Sequence, residues 1–302
     1  MSLNKNLNIK VVEDYALKTK LGRLLFNPVK YITGIFSKLI YFKLTKKGFL
    51  VNTDTFWNKN ISLELPACLD IYLSGGKTHE SEIRFAKYLI NSVSKGDQFL
   101  DIGAHIGYFS LLFSELNGKG KILSFEASPK NFDLLEKNVK NSKIEAFNIA
   151  VSDKNGILKF MEFPILFSEY NTSNLSIYKN ENWFKSLLVK EIDIPSIKGD
   201  NLVQEYEIDP TYIKIDVEGA EKQVLLGFEK YLSKNNPKII MEFAKSKDTN
   251  SNHKEAETIL IKNNFHPHII KNDGSLEKLI IESQDYVNEL EIESDNIVYL
   301  KE

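Results

Sequence analysis

From residue 96 onward, short apolar runs alternate with amphipathic stretches, and that alternation constrains the fold more than any other feature. Strand-like runs lie at residues 99–102, 121–125, 146–151, 212–217 and 238–243, with two more expected near His268 and Ile297. Between them, apolar positions recur at helical spacing over residues 108–116, 131–139, 220–232 and 255–263. Alternating strands and helices build a mostly parallel sheet with helices on both faces. The expected fold is α/β, a doubly wound, mostly parallel seven-stranded sheet. Residues 96–302 form this domain. Residues 1–95 are an N-terminal helical extension and lead-in, ending in a helix over residues 80–93 that Lys95, Gly96 and Asp97 terminate. Residues 156–210 break the alternation with a polar run at 169–176 and a strand-like run at 188–194. They read as an insertion near the ligand site, since loops at the carboxyl edge of such sheets carry specificity.

Hydrophobic residues make up 42% of the chain and charged residues 26%, as in an ordinary globular protein. A formal net charge of −2 gives no whole-molecule attraction to nucleic acid. Cys68 is the single cysteine, which excludes an internal disulfide framework and a cysteine-rich zinc site. No signal-peptide pattern opens the sequence, so a cytoplasmic protein is expected. Lysines interrupt every apolar run long enough to suggest a membrane span.

One region departs from this even balance. Residues 15–53 hold no acid but eight basic residues: Lys18, Lys20, Arg23, Lys30, Lys38, Lys43, Lys46 and Lys47. Leu25, Val29, Ile32, Phe36 and Leu39 recur there at helical spacing. Such a stripe ordinarily packs on its own domain or on a second subunit, which would make the chain a homo-oligomer. A peripheral contact with an anionic surface, such as the inner face of a membrane, is the alternative. Nucleic acid is not favoured, because the aromatics share the apolar face instead of alternating with the basic residues.

The first strand runs into Asp101-Ile102-Gly103-Ala104-His105-Ile106-Gly107 before a helix begins. Gly103 permits a sharp turn and close backbone approach, and Gly107 does the same at the helix entrance. The spacing departs from the G-x-G-x-x-G of pyrophosphate-binding loops. An acid two residues before the first glycine would repel a pyrophosphate, but it suits the ammonium and sulfonium groups of S-adenosylmethionine. Glu126 follows the second strand, nineteen residues beyond Gly107, where an acid can accept both ribose hydroxyls. Asp153 ends the run after the third strand and would flank the adenine. Ala104, His105, Tyr108, Phe109, Ala127, Ser128, Asn148 and Ser152 are the neighbouring candidates for cofactor contact. Asp216 and Glu218 close the fourth strand and Glu242 ends the fifth, all at the carboxyl edge where open α/β sheets bind ligands.

In their order and spacing, FLDIGAHIGYFS, SFEASP, NIAVSD, YIKIDVEGAE and PKIIMEF resemble the FkbM-type methyltransferase family, most strongly over residues 80–243. The resemblance implies a class I, Rossmann-like methyltransferase fold, S-adenosylmethionine as donor, and O-methylation of a small-molecule or glycan hydroxyl. A sugar of a surface polysaccharide or glycolipid is the expected acceptor. It implies cofactor roles for Asp101, Gly103, Gly107 and Glu126, with Asp153 near adenine and Asp216 and Glu218 at the methyl-transfer end. Glu80 matches an acid that members often place in the helix before the first strand. The sequence departs from the pattern at His105, where members usually have Asn, and in a longer segment at residues 192–202.

Deprotonating a hydroxyl needs a base. The candidates are Asp216, Glu218, Glu242, His105 and His79, the first two favoured by position. A divalent metal held by carboxylates is compatible with the sequence but not favoured, and no metal ligands are assigned. Amine methylation of bases would need an Asn/Asp-Pro-Pro-aromatic turn where Asp216-Val217-Glu218-Gly219 stands, and Cys68 lies outside the core. The competing readings are a nicotinamide-dependent oxidoreductase, whose glycine spacing is absent, and a non-catalytic cofactor-binding protein.

Overall fold

The computed structural model describes residues 7–174, 189–246 and 251–302, arranged in two compact units. The first comprises Met1–Ile83 with Pro164–Ser168, and the second Arg84–Phe163 with Glu169–Glu302. The first unit ends inside the helix Glu80–Ser92.

In the first unit, the basic region forms helices α1 (Lys10–Ala16), α2 (Lys20–Phe26) and α3 (Pro28–Phe36), a π-helical turn at Ser37–Tyr41, and α4 (Phe42–Thr45). Thr19 caps α2 by accepting from the Gly22 N–H at 3.2 Å. Asn27 caps α3 with Pro28 at its first position, where the missing N–H costs nothing. An antiparallel hairpin follows, β1 (Phe49–Asp54) with β2 (Asn60–Leu65), then α5 (Leu69–Ser74) and the start of α6 (Glu80–Ser92). The hairpin escaped the sequence reading because its alternation is broken: Ile61, Ser62 and Leu63 are consecutively buried.

In the second unit, the main sheet takes β3 (Phe99–Ile102), β4 (Ile122–Phe125) and β5 (Ile144–Phe147) from the first half of the alternation. A small sheet takes β6 (Ala150–Ser152), β7 (Gly156–Glu162) and β8 (Lys190–Lys198). The main sheet resumes with β9 (Tyr212–Ile215), β10 (Lys238–Ala244), β11 (Phe265–Ile270), β12 (Leu276–Lys278) and β13 (Ser294–Lys301). Its order is β12-β11-β13-β10-β9-β3-β4-β5. β3, β4, β5, β9 and β10 run parallel; β13 inserts antiparallel between β10 and β11. This is the class I methyltransferase arrangement, with the expected seven strands and short β12 added at the edge.

The third strand differs from its expected span of residues 146–151. β5 ends at Phe147, and β6 leaves the main sheet to pair with β8. The inserted segment is thus partly ordered as the β6-β8-β7 sheet, followed by helix Gly199–Glu205. Leu100, Leu123, Ile213 and Ile239, one from each of four parallel strands, are fully buried in the core beneath the sheet edge.

Candidate active site

The order β4-β3-β9-β10 lines up four strand ends on one edge. Across β3 and β9, Asp101 pairs with Lys214; across β9 and β10, Lys214 pairs with Ile240. Side chains alternate with period two along a strand, so Lys214, Asp216 and Glu242 emerge on one face. Lys214 is 4% exposed, and its ammonium lies 3.0 Å from Asp216 Oδ2 and 3.5 Å from Asp101 Oδ1. It also donates to the Gly103 carbonyl at 3.2 Å. Asp101 is 1% exposed; Ser110 Oγ donates to its Oδ2 at 2.5 Å, and Oδ1 faces the Lys214 ammonium. Asp101 and Lys214 are therefore a buried pair locking two strand tips together. The sequence signal for Lys214 was a lysine inside the otherwise apolar run YIKI.

The glycine loop packs tightly against the protein itself. Gly103 has φ +78°, and a Cβ there would stand 1.8 Å from the Asp216 carbonyl oxygen. Gly107 has φ +82° and opens the helix Tyr108–Asn117, where a Cβ would meet Leu135 at 2.7 Å. Between them His105 adopts φ +51°, left-handed backbone that Asn and His tolerate better than most residues. Ala104, Tyr108 and Phe109 are buried, and the Phe109 ring lies 4.4 Å from that of Phe85. Their side chains pack the interior.

Glu126 is 6% exposed at the end of β4. Its Oε2 accepts from the His105 N–H at 2.8 Å and its Oε1 from the Ser128 N–H at 3.0 Å. Burial outweighs these hydrogen bonds and pushes the carboxyl up to about 7. The Asn131 side chain supplies a third hydrogen bond, which leaves one of the carboxylate's four acceptor positions for a ligand hydroxyl. That position fits one hydroxyl of the ribose of S-adenosylmethionine. Asn148 Nδ2 donates to the carbonyls of Glu126 and Ala127 at 2.9 and 3.0 Å, fixing the loop that carries the carboxylate. Ser128 caps the helix Pro129–Val139 and donates to Glu162 at 2.7 Å. Ser152 is buried and donates to Asp153, which is exposed in the turn between β6 and β7. Glu80 and His79 are exposed in the first unit.

Carboxylate oxygens of Asp216, Glu218 and Glu242 lie within 4.8 Å of one another. Ser294 donates to Glu242 Oε1 at 2.7 Å. Burial, then the charges of Asp216 and Glu218, raise Glu242 well above the usual carboxylate range, and it shares a hydrogen bond with Asp216. Glu218 has φ +51°, a costly conformation that surrounding groups enforce. Buried Glu221 accepts the N–H groups of Val217 and Gly219 at 3.4 and 3.1 Å. Thr172 Oγ1 donates to the Glu218 carbonyl at 2.6 Å, and Asn174 and Asn252 donate to that of Gly219.

The insertion thus reaches the strand-tip loop. Thr172 and Asn174 bind the loop, and Asn171 accepts the Phe163 N–H at 2.8 Å. Ser176, Tyr178 and Trp183 of the same insertion lie outside the described residues.

The family profile described as the methyltransferase FkbM domain matches residues 101–269, more than half of the chain. The chain belongs to this family. It is 27% identical over 157 residues to a protein of Haloferax volcanii named hexuronic acid methyltransferase AglP, covering 51% of this chain and 59% of that one. To methyltransferase sdnD of Sordaria araneosa it is 26% identical over 168 residues, covering 47% and 64% respectively. The chain therefore spans less than two thirds of either relative. Among solved structures, an FkbM methyltransferase from Methylobacillus flagellatus KT is 14% identical, covering 95% of this chain and 62% of that one, with a TM-score of 0.41.

Proposed function

We propose that this family member is an S-adenosylmethionine-dependent O-methyltransferase whose acceptor is a hydroxyl of a sugar, in a surface polysaccharide or glycolipid. The observation that carries the reading is the convergence of Asp216, Glu218 and Glu242 on the edge that also carries Glu126. The relative named a hexuronic acid methyltransferase supports the sugar class.

S-adenosylmethionine, when bound, supplies an electrophilic methyl group. Glu126 would hold the ribose through a hydroxyl, and the ion pair of Asp101 with Lys214 keeps β3 and β9 in register. The acceptor hydroxyl would give its proton to the carboxylate cluster as its oxygen takes the methyl group and the sulfur–methyl bond breaks, the sulfur leaving as a neutral thioether. Sequence position favoured Asp216 and Glu218 as base; the environment favours Glu242. Lys214 stabilises ionised Asp216 and weakens it as a base, whereas burial and two like charges strengthen Glu242.

The test is single-turnover transfer from methyl-labelled donor into nucleotide sugars and cell-envelope glycans. Glu242→Gln should lose roughly 10²- to 10⁴-fold in rate and keep its cofactor affinity. Label entering only protein or nucleic acid overturns the substrate class. Thermal stabilisation by NAD but not by S-adenosylhomocysteine would turn the reading to an oxidoreductase.

The spacing of the three carboxylates favours a second reading, in which they hold one divalent cation through hard oxygen ligands. Chelation with EDTA separates the two: the base mechanism keeps its rate, and the metal mechanism loses it until magnesium is restored.

A further inference from the structure

The stripe that the sequence marked for packing on its own domain or a second subunit is exposed on the single chain. Leu25 is 74% exposed, Val29 73%, Ile32 60%, Phe36 44% and Leu39 52%. α3 and the turn after it seat on their own unit through small residues: Gly34 and Ser37 are buried, and a Cβ on Gly34 would stand 2.5 Å from Leu69. Helix packing through small residues turns the large side chains outward. Lys20, Lys38, Lys43, Lys46 and Lys47 are exposed on the same segment, and residues 15–53 contain no acid.

We infer that residues 17–47 are a docking surface for an anionic lipid bilayer. Apolar side chains that reach the acyl boundary, flanked by lysines at headgroup level, are the two components of interfacial binding. A second copy is the poorer occupant, because a two-fold interface would press two lysine-rich, acid-free faces together. The surface lies on the membrane and does not cross it: among the described residues, no helix is long and apolar enough to span one. Lys30, Lys38 and Lys43 interrupt the near-continuous helical run over residues 28–45.

The experiment is sedimentation of the full chain with vesicles of phosphatidylglycerol mixed with phosphatidylcholine, against vesicles of phosphatidylcholine alone. Binding is expected only to the anionic vesicles, and it should weaken as salt rises. Each exposed lysine changed to Gln should weaken it roughly fivefold. Val29→Ser with Leu39→Ser should abolish it and leave S-adenosylhomocysteine affinity unchanged, since both side chains are already exposed. No binding to anionic vesicles, or equal binding to both kinds, overturns the proposal. So does a dimer in light scattering that the double variant dissociates, which would make the occupant a second copy.

Discussion

Glu126 answers to two opposing demands. Ligand binding calls for an ionised acceptor at the strand tip, while burial favours the protonated acid and pushes it up to about 7. A folded-state value above the ordinary 4.5 means that the native protein holds this proton more tightly than the unfolded chain. The group's contribution to stability is greatest below about 4.5 and declines as pH rises to about 7, by on the order of 3 kcal/mol in all. Glu126→Gln cannot titrate. Whatever constant offset the amide adds, the stability difference between variant and wild type should move in the variant's favour between pH 5 and pH 8. Urea unfolding at both pH values measures it; a flat difference would show that Glu126 titrates normally. The carboxylate cluster gives a second signature. Since the Asp216 charge is one cause of the raised proton affinity at Glu242, Asp216→Asn should shift the acid limb of the single-turnover rate to lower pH. An unmoved limb would take Glu242 out of the role of base.

Strands β3 and β9 meet through Gly103, whose missing side chain leaves room for the Asp216 carbonyl. Gly103→Ala adds a collision at 1.8 Å to the strain of φ +78°, whereas Gly118→Ala adds strain alone, at φ +68° with nothing within 4 Å. In denaturant titrations Gly103→Ala should therefore lose more stability than Gly118→Ala, by at least about 1 to 3 kcal/mol, the usual range for overpacking. Equal losses would mean that the two strand tips are loose at this point. The same element carries the acceptor-side loop, so the variant's methyl transfer should fall further than its cofactor affinity.

Within the second unit, residues far apart in sequence are clasped by a buried ion pair. Arg84 lies 2.8 Å from Asp295, and their side chains are 8% and 0% exposed. Asp295 also accepts from Tyr286 at 3.0 Å and from the Asn296 N–H at 2.8 Å. Lys87 and Asn91, on the same helix as Arg84, donate to the carbonyls of Asn272 and Asp273. Asp295→Ala leaves the guanidinium buried without its counter-charge, and a loss of roughly 3 to 5 kcal/mol is expected in chemical denaturation. A loss under 1 kcal/mol would mean that water reaches the pair.

Local periodicity determined the α/β class, the seven sheet strands and the placing of Glu126, Asp216 and Glu242 at strand ends, because each is written in a contiguous stretch of side chains. The apolar stripe through residues 25–39 was equally visible as a stripe. Which way it faces was not, because periodicity gives two faces and only the seating of Gly34 and Ser37 chooses between them. Strand order and register decided the rest. They set Lys214 beside Asp101, brought Glu242 from β10 to Asp216 after β9, and slid antiparallel β13 between β10 and β11. Those contacts join residues tens to hundreds of positions apart. They depend on which strands pair and at what offset, which only the folded packing of the whole sheet fixes.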